Sequence, residues 1–141
     1  MTTKLLNEGR EVIARNLAGE HIPINGAYIA YGPKAETSAP DSSAEYFRQL
    51  ANTPGCGYIR VRVSSKLEGG KVLFTAMLNA NDPYIGNQPK KGTVLTTVTL
   101  VHFEDCNPAK DKFIYSTVLN NSVKLLNDTY LVVNIGINIG E

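Results

Sequence analysis

The sequence predicts a mainly β fold, an antiparallel β-sandwich or a flattened barrel with an N-terminal α-helix packed on it. The main observation is a strict alternation of side chains along residues 129–139. One set is Leu131, Val133, Ile135, Ile137 and Ile139, and the other is Tyr130, Val132, Asn134, Gly136 and Asn138. Because successive side chains of a strand point to opposite faces, the aliphatic set predicts a buried face. A strand this long is expected to cross a whole core between two sheets.

Shorter strands and turns account for most of the remaining chain. Strands are predicted over residues 27–31, 58–64, 71–78, 93–103 and 113–119, where β-branched and aromatic residues are frequent. Glu68-Gly69-Gly70 predicts the turn of a hairpin, and Asn120-Asn121 predicts another turn. Residues 79–92 are rich in Asn, Pro and Gly, and this predicts a long exposed loop.

Residues 3–18 form the predicted N-terminal helix. Thr2 or Thr3 is the expected N-cap, and Gly19 is the expected C-terminal stop. The apolar stripe at helical spacing is Leu5, Leu6, Val12, Ile13 and Leu17. Gly9 within this helix costs about 1 kcal/mol relative to Ala. It indicates either close packing against a neighbour or a tolerated surface glycine.

A second, short helix is predicted from Ser42 through Leu50. The sequence Ser42-Ser43-Ala44-Glu45 matches a capping box, in which Ser42 would cap the helix and Glu45 would reach back to it. All these elements fit one domain, residues 1–141, because the length is typical of a single domain and no repeat or linker is visible.

Composition narrows the expected partners. Charged residues make up 19% of the chain, against about 25% in average domains, and this weakly favours a protein that lives in an assembly. The net charge is +1, from 14 basic and 13 acidic residues, and the only basic cluster is Lys90-Lys91. Nucleic acid is therefore not an expected partner. No apolar run approaches the roughly 18 residues that a membrane span requires, so a membrane is not expected either.

The residue types that carry catalysis or bind metals are sparse. His21 and His102 are the only histidines, and no G-x-S-x-G elbow or phosphate-binding loop is present. Acidic residues at two loops, Asp82, Glu104 and Asp105, would bind a cation only if the loop tips met, and solvated tips are the simpler interpretation. The sequence therefore predicts a protein that is not an enzyme and that uses no metal or cofactor. An enzyme of unrecognised type is the remaining alternative, and a cleft with a perturbed titratable group would distinguish it.

Cys56 and Cys106 are the only cysteines, and they lie too far apart in sequence for a compact zinc or C-x-x-C motif. A disulfide between them and two free thiols both remain open.

Polar and aromatic side chains mark two candidate contact regions. Tyr58, Arg60 and Arg62 alternate with aliphatic residues and should lie on the outward face of their strand, where they would either contact a carboxylate or sugar or simply be solvated. Tyr84 lies on the long loop, as a contact residue or as an anchor folded back onto the sheet. Together these four residues are the expected contacts if the chain is a small carbohydrate-binding module.

The two ends of the chain carry a family resemblance. The N-terminal residues that carry it are Leu5, Asn7, Gly9, Ile13, Leu17 and Gly19, followed by a strand that ends in Ala30-Tyr31-Gly32. This pattern resembles the opening of phage tail-collar and tail-fibre attachment domains, which begin with a helix of the form leucine-threonine-asparagine-x-glycine and continue into a strand with a glycine-rich turn. Residues 124–135 resemble the closing strand of that family. The turn at Gly32-Pro33 departs from the pattern, because it lacks the acidic-glycine pair.

The resemblance implies an oligomeric structural role in a virion and no catalytic residues. No long fibre is expected after residue 141, so the expectation is a tail, collar, neck or baseplate component, or a capsid decoration or cement protein. The expected partners are further copies of the chain and other virion proteins. We expect a neighbouring subunit to bury either the row Tyr130, Val132 and Asn134 or the helix face around Gly9.

Overall fold

Two antiparallel β-sheets pack face to face and confirm the predicted mainly β fold as an open sandwich, without closure into a barrel. The computed structural model describes residues 3–32, 38–79, 85–86, 93–104, 107–125 and 130–138. The strands are β1 (Thr3–Leu5), β2 (Gly26–Tyr31), β3 (Gly57–Arg62), β4 (Ser64–Glu68), β5 (Lys71–Leu78), β6 (Ile85–Gly86), β7 (Val94–His102), β8 (Lys112–Lys124) and β9 (Leu131–Asn138). The helices are α1 (Asn7–Leu17), α2 (Ala44–Ala51) and a 3-10 turn at Pro108–Lys110.

The strands divide unequally between the two sheets. The first sheet has six strands in the order β1-β8-β7-β2-β3-β6, and the second has three in the order β4-β5-β9. The chain passes from the first sheet to the second at a single residue, Val63, between β3 and β4. The predicted strand over residues 58–64 is therefore broken, and its two parts belong to different sheets.

β9 supplies one wall of the core between the sheets, as its alternation predicts. Val133, Ile135 and Ile137 are buried, whereas Val132 and Asn134 are exposed. The buried set packs with aliphatic residues of the first sheet and of β5, including Ile29, Ile59, Val98, Leu100, Phe74 and Leu78. Ile139 lies outside the described residues.

The predicted hairpin is present between β4 and β5. Gly69 and Gly70 form its two-residue turn with φ values of 49° and 70°. Two consecutive residues with positive φ match the turn that suits the right-handed twist of a hairpin, and glycine adopts this conformation without strain.

The outer face of the first sheet is also covered, so all six residues of β2 are buried. α2 lies over this face and inserts Phe47 and Leu50 against Tyr28 and Ala30. This second helix was predicted, but its cap was not. Ser43, rather than Ser42, accepts a hydrogen bond from the Tyr46 backbone N–H at 3.2 Å.

Ser42 is instead buried in a chain of hydroxyl groups. It accepts a hydrogen bond from the Thr99 hydroxyl at 2.9 Å, and its own hydroxyl donates to Ser116 at 3.3 Å. These partners lie on β7 and β8, far away in sequence. The capping-box motif gives no sign that Ser42 bonds to residues of β7 and β8. Because Ser42 makes those bonds, Ser43 caps the helix instead.

The prediction that the first helix begins at Thr3 is wrong. Residues Thr3–Leu5 form β1, which pairs with Tyr115, Ser116 and Thr117 of β8. Leu6 then donates its backbone N–H to the Ile114 carbonyl at 2.8 Å, and α1 begins at Asn7 without a side-chain cap. Backbone pairing with β8 therefore outweighs the weaker preference of these residues for a helix.

Two further boundaries differ from the prediction. β8 continues through the expected turn at Asn120-Asn121, and a register shift lies there: Thr97 pairs with Val118, but Leu95 pairs with Val123. The other difference is β6, a two-residue strand inside the predicted long loop, which pairs with β3. A pairing this short leaves no periodic signal in the sequence.

Gly9 lets α1 lie directly on β8. A Cβ atom at Gly9 would stand 2.4 Å from the Ile114 carbonyl oxygen, which belongs to the backbone and has little freedom to move. The close packing suggested by this glycine is therefore present, but the neighbour is β8 of the same chain. The expectation that a second subunit buries the helix face at Gly9 is wrong.

We predict that Gly9→Ala destabilises the protein by roughly 1–3 kcal/mol, as overpacking typically does. A loss of stability would be informative, because in an isolated helix the same Gly-to-Ala change is stabilising by about 1 kcal/mol. Urea unfolding followed by circular dichroism measures the change. Gly136→Ala is the control, since the nearest atoms there belong to the flexible Lys71 side chain at 3.6 Å. Equal stability of the two variants would contradict the close contact between α1 and β8.

Candidate functional site

We call the outer face of the second sheet the second-sheet face; it exposes the large apolar side chains of Met77, Tyr130 and Val132 beside the polar side chain of Asn134. The exposed fractions of Met77, Tyr130 and Val132 are 56%, 54% and 48%. Val132 on β9 is the cross-strand partner of Met77 on β5, so these two side chains stand side by side. The predicted exposure of the row on β9 is confirmed, whereas its burial by a neighbouring subunit stays a prediction.

The second-sheet face is polar at its centre and charged at its other end. The Thr75 hydroxyl donates a hydrogen bond to the Asn134 side-chain oxygen at 2.8 Å, between β5 and β9. Farther along, Lys66 stands opposite Leu73, and Glu68 stands opposite Lys71. The apolar end is therefore a bounded patch, with a polar border on the same sheet.

Of the two alternatives left open for Arg60, the solvated face is wrong, and contact with a carboxylate is present, although that carboxylate is Asp111 of the same chain. The Arg60 side chain is 7% exposed and its partner Asp111 is fully buried. The Arg60 guanidinium donates two hydrogen bonds to the two Asp111 oxygens, from Nε at 3.0 Å and from Nη2 at 3.1 Å. The Tyr28 hydroxyl donates a third at 2.5 Å. The face that alternation assigns to solvent is covered by other parts of the chain, so Arg60 is unavailable to a sugar or to another subunit.

These contacts change the proton affinities of the buried groups. Burial, together with the hydrogen bond and negative charge of Asp111, raises the pKa of the Tyr28 hydroxyl well above its ordinary value. Burial alone would lower the pKa of the Arg60 guanidinium, but the hydrogen bonds and charge of Asp111 outweigh it, so that pKa is raised. The cluster thus holds Arg60 charged and Tyr28 protonated.

Asp111 is the residue that sequence analysis missed. It lies just after the 3-10 turn and before β8, within a segment that reads only as a turn. Its separation from Arg60 is 51 residues, so no local spacing connects the two. The Arg60 guanidinium carbon also lies 3.9 Å from the centre of the Phe103 ring, a cation–π contact that further fixes its position.

Aromatic rings surround this ion pair and line a shallow cleft. Tyr58 stacks on Tyr28 with ring centres 4.9 Å apart and ring planes 9° from parallel, so Tyr58 is half-buried rather than fully outward. Phe47 and Phe113 join the same cluster. Between α2 and the 3-10 turn these rings border a cleft of about 340 Å³, and Arg48 of α2 and Asn52, the residue after it, also line the cleft.

The remaining predicted contact residues are dispersed. Arg62 is exposed at the end of β3 and does not line the aromatic cleft. Tyr84 lies outside the described residues, as do Asp82 and Asp105 of the predicted cation site. Cys56 is a free, half-buried thiol, and Cys106 is also outside the described residues.

The two histidines line a second cleft, of about 360 Å³, together with charged residues of α1 and β8. His102 donates its Nδ1 hydrogen to the Pro23 carbonyl oxygen at 2.6 Å, because a carbonyl can only accept. Glu8 accepts a hydrogen bond from the Phe113 backbone N–H at 3.2 Å. Sequence analysis did not predict that His21 and His102 share a cleft, since they lie on different elements.

Within the described residues, no group of three or more His, Cys, Asp or Glu side chains is arranged to hold a metal ion. The same part of the chain has no helix long and apolar enough to cross a membrane.

The fold and the exposed surfaces define a class, a two-sheet β protein with an apolar patch on the face of its smaller sheet. Comparison of the chain with protein-family models, curated proteins and solved structures returns no match.

We predict that Asp111→Asn lowers the free energy of unfolding by about 3–5 kcal/mol, because it leaves the Arg60 charge buried without its counterion. Chemical denaturation measures the loss. Glu11→Gln is the control, since it makes the same chemical change in the exposed Glu11–Arg15 pair, and exposed pairs contribute at most about 1 kcal/mol. A similar small effect of both variants would show that the Arg60–Asp111 pair does not stabilise the fold.

Proposed function

We propose that the chain is a structural protein of a bacteriophage virion, a tail, collar, neck or baseplate attachment module that works through contacts between subunits. The observation that carries the proposal is the second-sheet face, where Met77 and Val132 stand opposite each other and, with Tyr130 two residues before Val132, expose about half of their surfaces. Single exposed apolar side chains are common on proteins, but an adjacent group on a flat sheet face is typical of a contact surface.

The energetics favour coverage of this patch by protein. Removing the exposed half of each side chain from water contributes on the order of 1 kcal/mol per residue. The polar border formed by Thr75, Asn134 and Lys66 resembles the rim that surrounds the apolar centre of protein interfaces. The net charge of +1 causes little repulsion between copies of the chain.

The virion assignment is supported by the resemblance of the N-terminal segment and of the last strand to phage tail-collar and tail-fibre attachment domains. Its proposed partners are further copies of the chain and other virion proteins, and the virion is its proposed location. A capsid decoration or cement protein is the alternative of the same class, since it requires the same adhesive β domain. The proposed role requires no catalysis, cofactor, nucleic acid or membrane.

The expected result is that the protein is a stoichiometric component of purified phage particles from the host that carries its gene. Quantitative mass spectrometry of the particles measures its copy number, and labelled antibodies in electron micrographs distinguish tail from capsid. Absence of the protein from particles that are otherwise complete would refute the proposal. In an infection complemented with variants, Met77→Lys should lower incorporation about tenfold, the equivalent of roughly 1.4 kcal/mol.

Leu67→Lys is the matched control for Met77→Lys. Leu67 is 81% exposed on β4 of the same sheet, and its cross-strand partner Val72 packs toward the core, so Leu67 is not part of the second-sheet face. The two variants add the same charge to the same sheet. Equal incorporation of both would mean that the second-sheet face is not the contact surface.

The aromatic cleft favours a second candidate, a small carbohydrate-binding module. A sugar can pack its C–H face on the Tyr58 ring while its hydroxyl groups bond to Arg48 and Asn52 on the rim of the cleft. The contact set differs from the one that the sequence suggests, because Arg60 is occupied by Asp111 and Arg62 lies away from the cleft.

For this candidate we expect hits on a glycan array that weaken about tenfold in Arg48→Ala, since one charged hydrogen bond is worth roughly 1.5–3 kcal/mol. Arg62→Ala is the control and should bind like the unchanged protein. An array without hits would remove the candidate, and equal losses in both variants would remove the cleft as the site.

A further inference from the structure

The strands at the ends of the two sheets differ sharply in how they are protected from pairing with another strand. β1 has three residues and β6 has two, so neither offers a long edge. β4 is longer but carries Lys66 and Glu68. Short strands and charged side chains are the usual means by which proteins prevent a sheet edge from pairing with another chain.

β9 has none of these protections. Its eight residues, Leu131–Asn138, include no charged residue and no proline. They pair with β5 in continuous register without a bulge. β9 ends the second sheet, so among the described residues no strand pairs with its other side. Alternate N–H and C=O groups of this uncharged, unbulged strand are therefore left along the edge to pair with another strand.

We propose that β9 is a self-association edge, at which two copies of the chain pair their β9 strands antiparallel about a twofold axis and join their second sheets into one six-stranded sheet. This inference deepens the proposed function and rests on it, since it names the partner and the geometry of one subunit contact. An antiparallel pair of identical strands is an isologous contact, so the dimer closes and leaves the Met77 side of the second-sheet face for other subunits.

The side chains of β9 select a register with Asn134 on the twofold axis. In that register Leu131–Ile137 pair along their whole length. Val132 then stands opposite Gly136 of the partner subunit, so the branched side chain meets a residue without one. On the buried side, Val133 stands opposite Ile135 of the partner subunit, which continues the apolar core across the joint.

Asn134 suits the position on the axis. Its side-chain oxygen already accepts a hydrogen bond from Thr75 at 2.8 Å. A second lone pair remains on that oxygen, and the amide nitrogen has two hydrogens to donate. The two Asn134 side chains across the axis can therefore bond reciprocally while each keeps its bond to Thr75.

The area of the contact between the two β9 strands determines how tightly two copies of the chain are expected to bind. Eight residues of antiparallel strand span about 27 Å, and one edge of that length buries less than the roughly 1,600 Å² of a standard stable interface. The isolated chain should therefore dimerise weakly, with the dimer growing from low to high micromolar concentration. In a particle that holds many copies, several weak contacts act together, and their combined affinity exceeds that of each contact alone.

Disulfide trapping tests the register. In a background with Cys56→Ser and Cys106→Ser, Asn134→Cys should form a disulfide-linked dimer under mild oxidation, since Cα atoms directly opposite across an antiparallel pair lie about 4.5–5.5 Å apart. Thr75→Cys is the matched control. Thr75 is the cross-strand partner of Asn134 at the same height of the same face, but it lies one strand away from the edge.

A charge at the axis tests the association itself. Asn134→Lys places like charges directly opposite one another and should weaken dimerisation about tenfold or more in sedimentation velocity. Thr75→Lys adds the same charge and breaks the same Thr75–Asn134 hydrogen bond, yet should leave dimerisation unchanged. Circular dichroism establishes that both variants remain folded.

Each outcome decides the proposal. Trapping of Asn134→Cys alone, with selective weakening by Asn134→Lys, supports the β9 edge. Trapping of Thr75→Cys instead indicates contact through the sheet face and overturns it, as does a chain that stays monomeric at every concentration. Mass spectrometry of the particles tests the proposed function separately. If the protein is present in virions but Asn134→Cys forms no disulfide-linked dimer, only the pairing of β9 strands is refuted. If the chain dimerises through β9 but is absent from virions, only the virion role is refuted.

Discussion

Burial of β2 on both faces is the constraint on which the rest of the structure depends. Its six residues are all buried, with the second sheet on one side and α2 on the other. Leaving a polar group unpaired beside a strand enclosed in this way costs free energy, and the cost is greatest for a charged group. The Arg60–Asp111–Tyr28 cluster avoids that cost, because Tyr28 brings a hydroxyl group into the buried layer and Asp111 accepts its hydrogen bond.

This enclosure also determines which surfaces remain for function. Tyr58 and Arg60, which point away from the core between the sheets, are used to pack α2 and the turn before β8. Gly9 is used to seat α1 on β8. The second sheet has no comparable cover on its outer face among the described residues, so Met77 and Val132 stay accessible there. The asymmetry between a covered sheet and an uncovered one is the physical basis of the proposed adhesive role.

Alternation was a reliable guide where only one sheet face is covered. β9 shows this, because Val133, Ile135 and Ile137 are buried and Val132 and Asn134 are exposed. It misled for β3, since the same pattern there places Arg60 on a face that α2 and the turn before β8 enclose. Helix capping was predicted to within one residue at α2. At the N-terminus it failed, because β1 pairs with a strand more than a hundred residues away in sequence.

The sequence by itself determined the mainly β class, the inward row of β9, the tight turn at Gly69-Gly70 and the presence of both helices, because these depend on side-chain periodicity and on local backbone preference. Only the tertiary structure decided that Asp111 neutralises Arg60, that Gly9 faces β8 and that the chain changes sheets at Val63. These features arise when segments distant in sequence are brought together. The free energy of burying a charge or of closing a backbone contact exists only once both partners are in place.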